Sequence, residues 1–291
     1  MSEKYTLTNA KDILLDAKKN KYAVPHININ NLEWTKNILV TANELRSPVI
    51  LGASMGAIKY MGGFKTVASL VKSLVSDLKI SVPVVLHLDH GDFESCFKAI
   101  EAGFTSVMFD GSMLSMDENL ERTKAVVEFA KRFNVSVEAE VGAIGGEEDG
   151  IASAGVISNV SDALKMKETG IDVLAAGIGN IHGKYPESWK SLDFETLSKI
   201  SNATDIGIVL HGGSGIPTEQ VVKAISLGVT KINVNTELQL AFADAVEKFV
   251  LSGESKKGKN FDPRKLLATG CKAICETVKE KIVIFNSQNR Y

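Results

Sequence analysis

Pro83-Val84-Val85-Leu86-His87-Leu88-Asp89-His90-Gly91 joins a short apolar run to groups capable of acid–base or metal chemistry, and it ends on glycine. The run Pro83–Leu88 is too short for a helix and opens on proline, so it reads as a strand. A helical stretch follows and stops at Glu101-Ala102-Gly103, where glycine suits a helix C-terminus. A second apolar run, Ser106–Phe109, comes next. The same unit recurs outward in both directions. Ala23–Ile29 and Pro48–Ala53 precede it, and Val135–Val141, Val173–Ile178, Ile206–Leu210 and Lys231–Val234 follow. Asn31–Leu45, Phe64–Leu78, Asn119–Phe133, Asp193–Ile200 and Thr218–Leu227 carry apolar residues at helical spacing between them. Acidic first-turn residues mark two helix starts, at Asp117-Glu118 and Pro217-Thr218-Glu219.

Eight alternations with nearly continuous apolar strands imply a parallel sheet, and eight strands close a barrel. The expected fold is an α/β TIM (β/α)8 barrel. The alternative is a doubly wound open sheet, but no GxGxxG follows the first strand. Beyond Thr236 the chain reads as the eighth helix, a Lys/Gly loop and a helical tail from Pro263. We therefore expect one domain over 1–291, with 253–291 as loop and tail.

A net charge of −2 makes no electrostatic case for nucleic acid or a membrane surface. Every long apolar stretch is broken by charge or glycine, and the first 25 residues lack the pattern of a secretory signal. Cys96, Cys271 and Cys275 form neither an even disulfide set nor a CxxC pair. A cytoplasmic protein with reduced thiols is the expectation.

The five histidines avoid the predicted helices. His26 ends the first strand, His87 and His90 the third, His182 follows the sixth and His211 closes the seventh. In a barrel those ends converge on the face where active sites are built. A single histidine beside a strand is more often structural than a ligand. His90, His182 and His211, however, each lead directly into glycine, which lets a ligand approach the backbone closely. Three converging imidazoles match a catalytic zinc with its fourth position open. His87 lies three residues before His90 and has the opposite strand parity, so it reads as a core or supporting residue.

Carboxylates cluster with them. Asp89 adjoins His90, Asp110 ends the fourth strand, and Glu138 and Glu140 share one face of the fifth. Buried there, they require a metal or a Lys/Arg partner. Gly145-Gly146-Glu147-Glu148-Asp149-Gly150 is either an ordinary surface loop or a hinged lid carrying a base. His211-Gly-Gly-Ser-Gly-Ile-Pro217 and Asn233-Val-Asn-Thr236 follow strands seven and eight, the usual phosphate site of barrels.

These segments, together with Pro25–Asn30, Val107–Ser112 and Gly179–Gly183, resemble the class II fructose-bisphosphate aldolase family from the first strand to the tail. The resemblance implies a phosphorylated sugar substrate and zinc held by His90, His182 and His211. It puts Glu140 and Asp110 at an alternative or second metal position, with a monovalent cation (Na+ or K+) beside the phosphate. Asp89 would move the C4 hydroxyl proton, and Glu148 the C3 proton, with Glu147 the alternative. Asn28 and Ser54 would contact substrate. Gly183, Gly212, Gly213, Ser214, Asn233, Asn235 and Thr236 would surround the C1 phosphate. Arg264 would reach the distal phosphate across the interface of a homodimer or homotetramer. Pro186 stands where many members carry lysine, and Lys184 directly follows Gly183.

The chemistry agrees. Cleaving C3–C4 leaves a carbanion beside the C2 carbonyl, and zinc supplies an electron sink. Fructose 1,6-bisphosphate is the first choice of substrate. Tagatose 1,6-bisphosphate and a phosphorylated deoxy-ketogluconate are the alternatives, and a phosphosugar-binding protein without turnover is the rival class. A Schiff-base aldolase would need a lysine at a strand's C-terminal end, whereas Lys231 reads as the start of strand eight.

Overall fold

The computed structural model describes residues 5–148 and 150–291, and of residues 148 and 151 the backbone alone. Val24–Asn28, Val49–Ser54, Val84–Gly91, Ser106–Phe109, Ser136–Val141, Val173–Ala176, Gly207–Leu210 and Val229–Val234 run parallel and close into an eight-stranded barrel. The first strand pairs with the last, Val24 opposite Lys231 and His26 opposite Asn233. All eight expected strands form. Every residue in them is buried except His90.

Strand alternation divides the buried residues into two cores. Ile27, Leu51, Leu86, Val107, Ala139, Leu174, Ile208 and Ile232 face outward into the shell of helices. Val24, Ile50, Val85, Met108, Val173, Ala175 and Val209 face inward and form an apolar floor. The inward positions above that floor are polar: His26, His87, Asp89, Glu138, Glu140, Lys231 and Asn233.

Local signals start the helices. Asp92 accepts from Ser95 N at 2.8 Å to cap Phe93–Ala102, and Gly103 ends it at φ 98°. Ser115 caps Met116–Lys131 ahead of the acidic pair at 117–118, which occupies the first turn. The tail helix Ala268–Ile284 packs on Leu32–Glu44 and Thr236–Leu251, burying Ile274, Val278 and Ile282.

Two features differ from the sequence reading. Lys11–Asn20, to which the sequence reading assigns no element, is a helix whose Ile13, Leu14 and Ala17 join Tyr22 beneath the inner floor. The acidic loop is a β-hairpin, Gly145–Glu148 against Ile151–Ser153, and it pairs in parallel with Ile181–His182. A Cβ on Gly146 would lie 2.2 Å from the His182 carbonyl oxygen, so this glycine serves close approach as well as turning. Asp149, part of the expected lid, lies outside the described residues.

Leu14→Ala opens a cavity under the inner core and should cost about 2–5 kcal/mol in chemical denaturation. A loss below about 0.5 kcal/mol, the range of an ordinary surface substitution, would show that this helix is not the seal of the barrel.

Candidate active site and metal centre

Inward parity accounts for the residues above the floor, with one exception. Consecutive strand residues point to opposite faces. Asp89 and His90 both reach the interior because the pairing with the fourth strand shifts register between Leu88 and Gly91, and His90 adopts the left-handed conformation at φ 49°. Such a backbone costs roughly 1–2 kcal/mol outside glycine, and it re-aims the imidazole into the site.

Ring nitrogens of His90, His182 and His211 lie within 4.8 Å of one another. His90 Nε2 and His211 Nδ1 face each other at 3.1 Å. Their outer nitrogens are taken by carboxylates: His90 Nδ1 meets Asp110 Oδ2 at 2.8 Å, and His211 Nε2 meets Glu138 Oε1 at 2.7 Å. Each imidazole therefore turns one nitrogen towards a common point. Asp110 Oδ1 is in turn held by the Ser112 backbone and hydroxyl, at 3.0 and 2.7 Å.

His90, Asp110 and Glu140 form a second group of the same kind. Glu140 Oε1 accepts from Ile144 N at 3.1 Å, while its buried Oε2 has no hydrogen-bond partner. An orphaned carboxylate oxygen beside a histidine and an aspartate is a donor set that fits a divalent cation.

The charges are uneven. Burial pushes His90 down, but the Asp110 hydrogen bond and the Asp89, Asp110 and Glu140 carboxylates raise it to about 10. Burial and the charge on His90 lower His182 to about 4 and hold His211 well below the usual range. Burial and the Asp110 carboxylate raise Glu140 to about 8. For Asp89, burial acts upward and is overridden by His26, His90, His211 and Lys231, which hold it well below the usual carboxylate range. The Asn28 amide donates to Asp89 at 2.8 Å, and the Asn233 amide lies 3.4 Å away.

Asn28, Asp89, His182, Gly183, His211, Gly212, Ser214, Asn233, Asn235 and Thr236 line one pocket. A Cβ on Gly212 would lie 2.2 Å from the Ile181 carbonyl oxygen, and its φ is 62°. Gly213 donates its N–H to the Asn233 carbonyl at 2.8 Å, so it shapes the turn. An adjoining cavity of about 340 Å³ shares Asn28 and Asn235, contains Ser54, and adds Asn30, Asn31, Trp34, Tyr60 and Gln239. None of these five was singled out in the sequence, since only the fold brings the helix starts at Asn31, Ser54 and Asn235 to one wall. Ser54 also caps Met55–Met61 through Ala57 N at 3.3 Å.

The remaining candidates lie elsewhere. Arg264 is exposed and held by Asp262 at 2.6 and 3.0 Å, and it lines neither cavity. Lys184 and Glu147 are exposed, and the Glu148 side chain is outside the described residues. His26 sits mid-strand, one layer deeper than its expected place at the strand end. Lys231, expected to begin strand eight, is its third residue and is fully buried, with Nζ 2.7 Å from Glu138 Oε2. Tyr185 joins two parts of the site, accepting from Ile181 N at 3.0 Å and donating to the Gly212 carbonyl at 2.8 Å.

A barrel with a histidine cluster and adjoining carboxylates at the C-terminal ends of its strands is the architecture of a metal-assisted enzyme. The family model for class-II fructose-bisphosphate aldolase matches residues 8–290. Fructose-bisphosphate aldolases of Mycoplasma genitalium and Streptococcus pneumoniae are 51% and 52% identical, over 98% of this chain and 99% of each relative. Among solved structures, a putative fructose-1,6-biphosphate aldolase from Coccidioides immitis superposes with a TM-score of 0.86 at 30% identity, covering 99% of this chain and 98% of that one. The YdjI aldolase of Escherichia coli does so with a TM-score of 0.83 at 31% identity, covering 98% and 99%. The chain belongs to the class-II fructose-bisphosphate aldolase family, a generally metal-dependent family of lyases acting on phosphorylated sugars. Among the described residues no helix is long and apolar enough to cross a membrane.

A ligating nitrogen must be free of its proton. With His90 raised to about 10, the metal-free protein carries a proton there at pH 7.5, and divalent metal binding should release about one proton. Affinity should rise with pH up to about 10. Calorimetry in two buffers of different ionisation enthalpy counts the protons, and a count of zero would remove His90 from the ligand set.

Proposed function

We propose that this enzyme reversibly cleaves fructose 1,6-bisphosphate to dihydroxyacetone phosphate and glyceraldehyde 3-phosphate, with zinc held by His90, His182 and His211. The observation that carries the reading is the pair of facing nitrogens on His90 and His211, both backed by carboxylates, directly beside Asp89. When bound, the ion supplies a Lewis acid for the C2 carbonyl. Asp110 and the orphaned Glu140 oxygen offer a second divalent position.

Asp89, held as a carboxylate and aimed by the Asn28 amide, takes the C4 hydroxyl proton as the C3–C4 bond breaks. The aldehyde leaves, the bonding electrons stay at C3, and Glu148 returns a proton there. Gly183, Gly212, Ser214, Asn233, Asn235 and Thr236 hold the C1 phosphate through backbone and side-chain donors, on the turn that Gly213 shapes, with a monovalent cation beside it. Asn28 and Ser54 orient the aldehyde half. The adjoining cavity has only neutral side chains on its walls, so the distal phosphate requires a cation from elsewhere. Arg264 of a second copy in a homodimer or homotetramer is our assignment. The cytoplasm is the proposed location.

Chelation should abolish cleavage, and zinc or cobalt should restore it. Activity that survives chelation and is trapped by borohydride would overturn the reading. Parallel assays on tagatose 1,6-bisphosphate test the substrate. Asp89→Ala should keep its metal and lose roughly 10²–10⁴-fold in turnover, while C3 proton exchange on dihydroxyacetone phosphate survives better. Glu148→Ala should lose both. If Glu147→Ala alone loses exchange, the base is one residue earlier.

A further inference from the structure

Beneath the metal centre lies a chain of three buried groups, of which only His211 enters the reaction described above. Lys231, Glu138 and His211 come from the eighth barrel strand, the fifth, and the residue after the seventh. Each side chain is 1% exposed. Lys231 Nζ lies 2.7 Å from Glu138 Oε2, and Glu138 Oε1 lies 2.7 Å from His211 Nε2. Both carboxylate oxygens of Glu138 are therefore engaged, one by each neighbour. His87 Nε2 is 3.6 Å from Oε2, beyond hydrogen-bond length, and its Nδ1 meets Ser106 Oγ at 2.8 Å.

This order has a chemical consequence. A neutral imidazole carries its proton on one nitrogen, and which one is set by the partner of the other. A carboxylate can only accept, so opposite Glu138 the His211 proton sits on Nε2. Nδ1 is then left as a lone-pair donor, and it is Nδ1 that faces His90 Nε2. With the alternative tautomer, an N–H would point at the metal position and a lone pair at a carboxylate. The Lys231 ammonium holds the carboxylate in place where no water can do so.

We propose that Glu138 and Lys231 are positioning residues for the metal centre: they fix the tautomer and ring plane of His211 so that it ligates through Nδ1. The inference rests on His211 being a ligand. Neither residue touches substrate. Glu138 cannot serve as the C3 base while both of its oxygens are engaged, and Lys231 is bound to a carboxylate instead of standing free as a Schiff-base nucleophile.

The test is metal affinity, read with cobalt(II) in competition with a chelator, alongside the visible spectrum of the cobalt-loaded protein. Glu138→Gln should bind cobalt about 10–100-fold more weakly, the usual loss on removing an outer partner of a ligating histidine, and should shift the spectrum. Lys231→Arg should retain most of the affinity, and Lys231→Met should lose it. Removing one partner of a buried pair can unfold a protein, so the double variant Glu138→Leu/Lys231→Met, which removes both charges and leaves no acceptor for His211 Nε2, is the companion. Its circular dichroism should match the parent while its cobalt affinity stays low. A folded double variant within twofold of the parent affinity and with an unchanged spectrum overturns the proposal. His211→Ala separates the failures: if it keeps full metal content, the ligand assignment falls. If it loses the metal while the Glu138 variants bind normally, the positioning role alone falls.

Discussion

The Glu138 carboxylate sits inside a closed barrel with 1% of its side chain exposed, and much of the site follows from how it is satisfied. An isolated charge at that depth would be prohibitive, and an ammonium alone would be as bad. Together, and with His211 taking the remaining oxygen, they form a charge-assisted array. Such an array tolerates little displacement, because each member's hydrogen bonds depend on the next. It links the fifth, seventh and eighth strands from within, so the His211 imidazole that caps it inherits their rigidity. On the other side of the barrel, His90 is held by Asp110 and by a left-handed backbone. The two nitrogens that meet at 3.1 Å are each locked from behind.

The barrel accommodates this polar interior because its stability is carried elsewhere. The outward face of every strand packs against helices in one continuous apolar core. The inward face contributes only a thin floor of Val24, Ile50, Val85, Met108, Val173, Ala175 and Val209, sealed by the helix at Lys11–Asn20. Above the floor the chain places groups whose desolvation is costly and compensates them pairwise. Glu140 Oε2 is an exception, a buried acceptor without a donor. A stability argument alone would replace it with glutamine or leucine. Its retention beside Asp110 and His90 makes sense as a cation ligand.

How much of this was legible in the sequence follows from periodicity. The strands were readable because both faces are buried, which produces nearly unbroken apolar runs bounded by glycine and proline. Alternation puts Glu138 and Glu140 on one face, inward if Ala139 and Val141 pack outward, and in the structure those two join the outer core. Alternation misleads at His90, where a register shift lets neighbours in sequence share one face. That shift is a property of the pairing with the fourth strand, which no local pattern encodes. The choice between a metal and a lysine as partner for Glu138 could not be made from spacing, since Lys231 is 93 residues away. The Lys11–Asn20 helix was missed because its apolar residues are few among lysines and an aspartate. The cavity walls at Asn30, Trp34, Tyr60 and Gln239 exist only once three helix starts meet.

The hairpin at 145–153 shows how the same chain can be bound and open to change. Its first strand borrows pairing from Ile181–His182, so its dock is the very segment that carries His182, a proposed metal ligand. Gly146 permits that approach, and any side chain there would strike the His182 carbonyl. Among the described residues the opposite strand, Ile151–Ser153, pairs only with its hairpin partner, and Glu147 is exposed. Ala152 of the opposite strand is exposed as well. Tyr185, bridging Ile181 and Gly212, ties the same segment to the glycine turn after the seventh strand. The His182 segment, the acidic hairpin and the glycine turn therefore form one hydrogen-bonded unit. A disturbance in the hairpin reaches Ile181–His182 through backbone groups, and from there reaches the glycine turn through the Tyr185 hydroxyl.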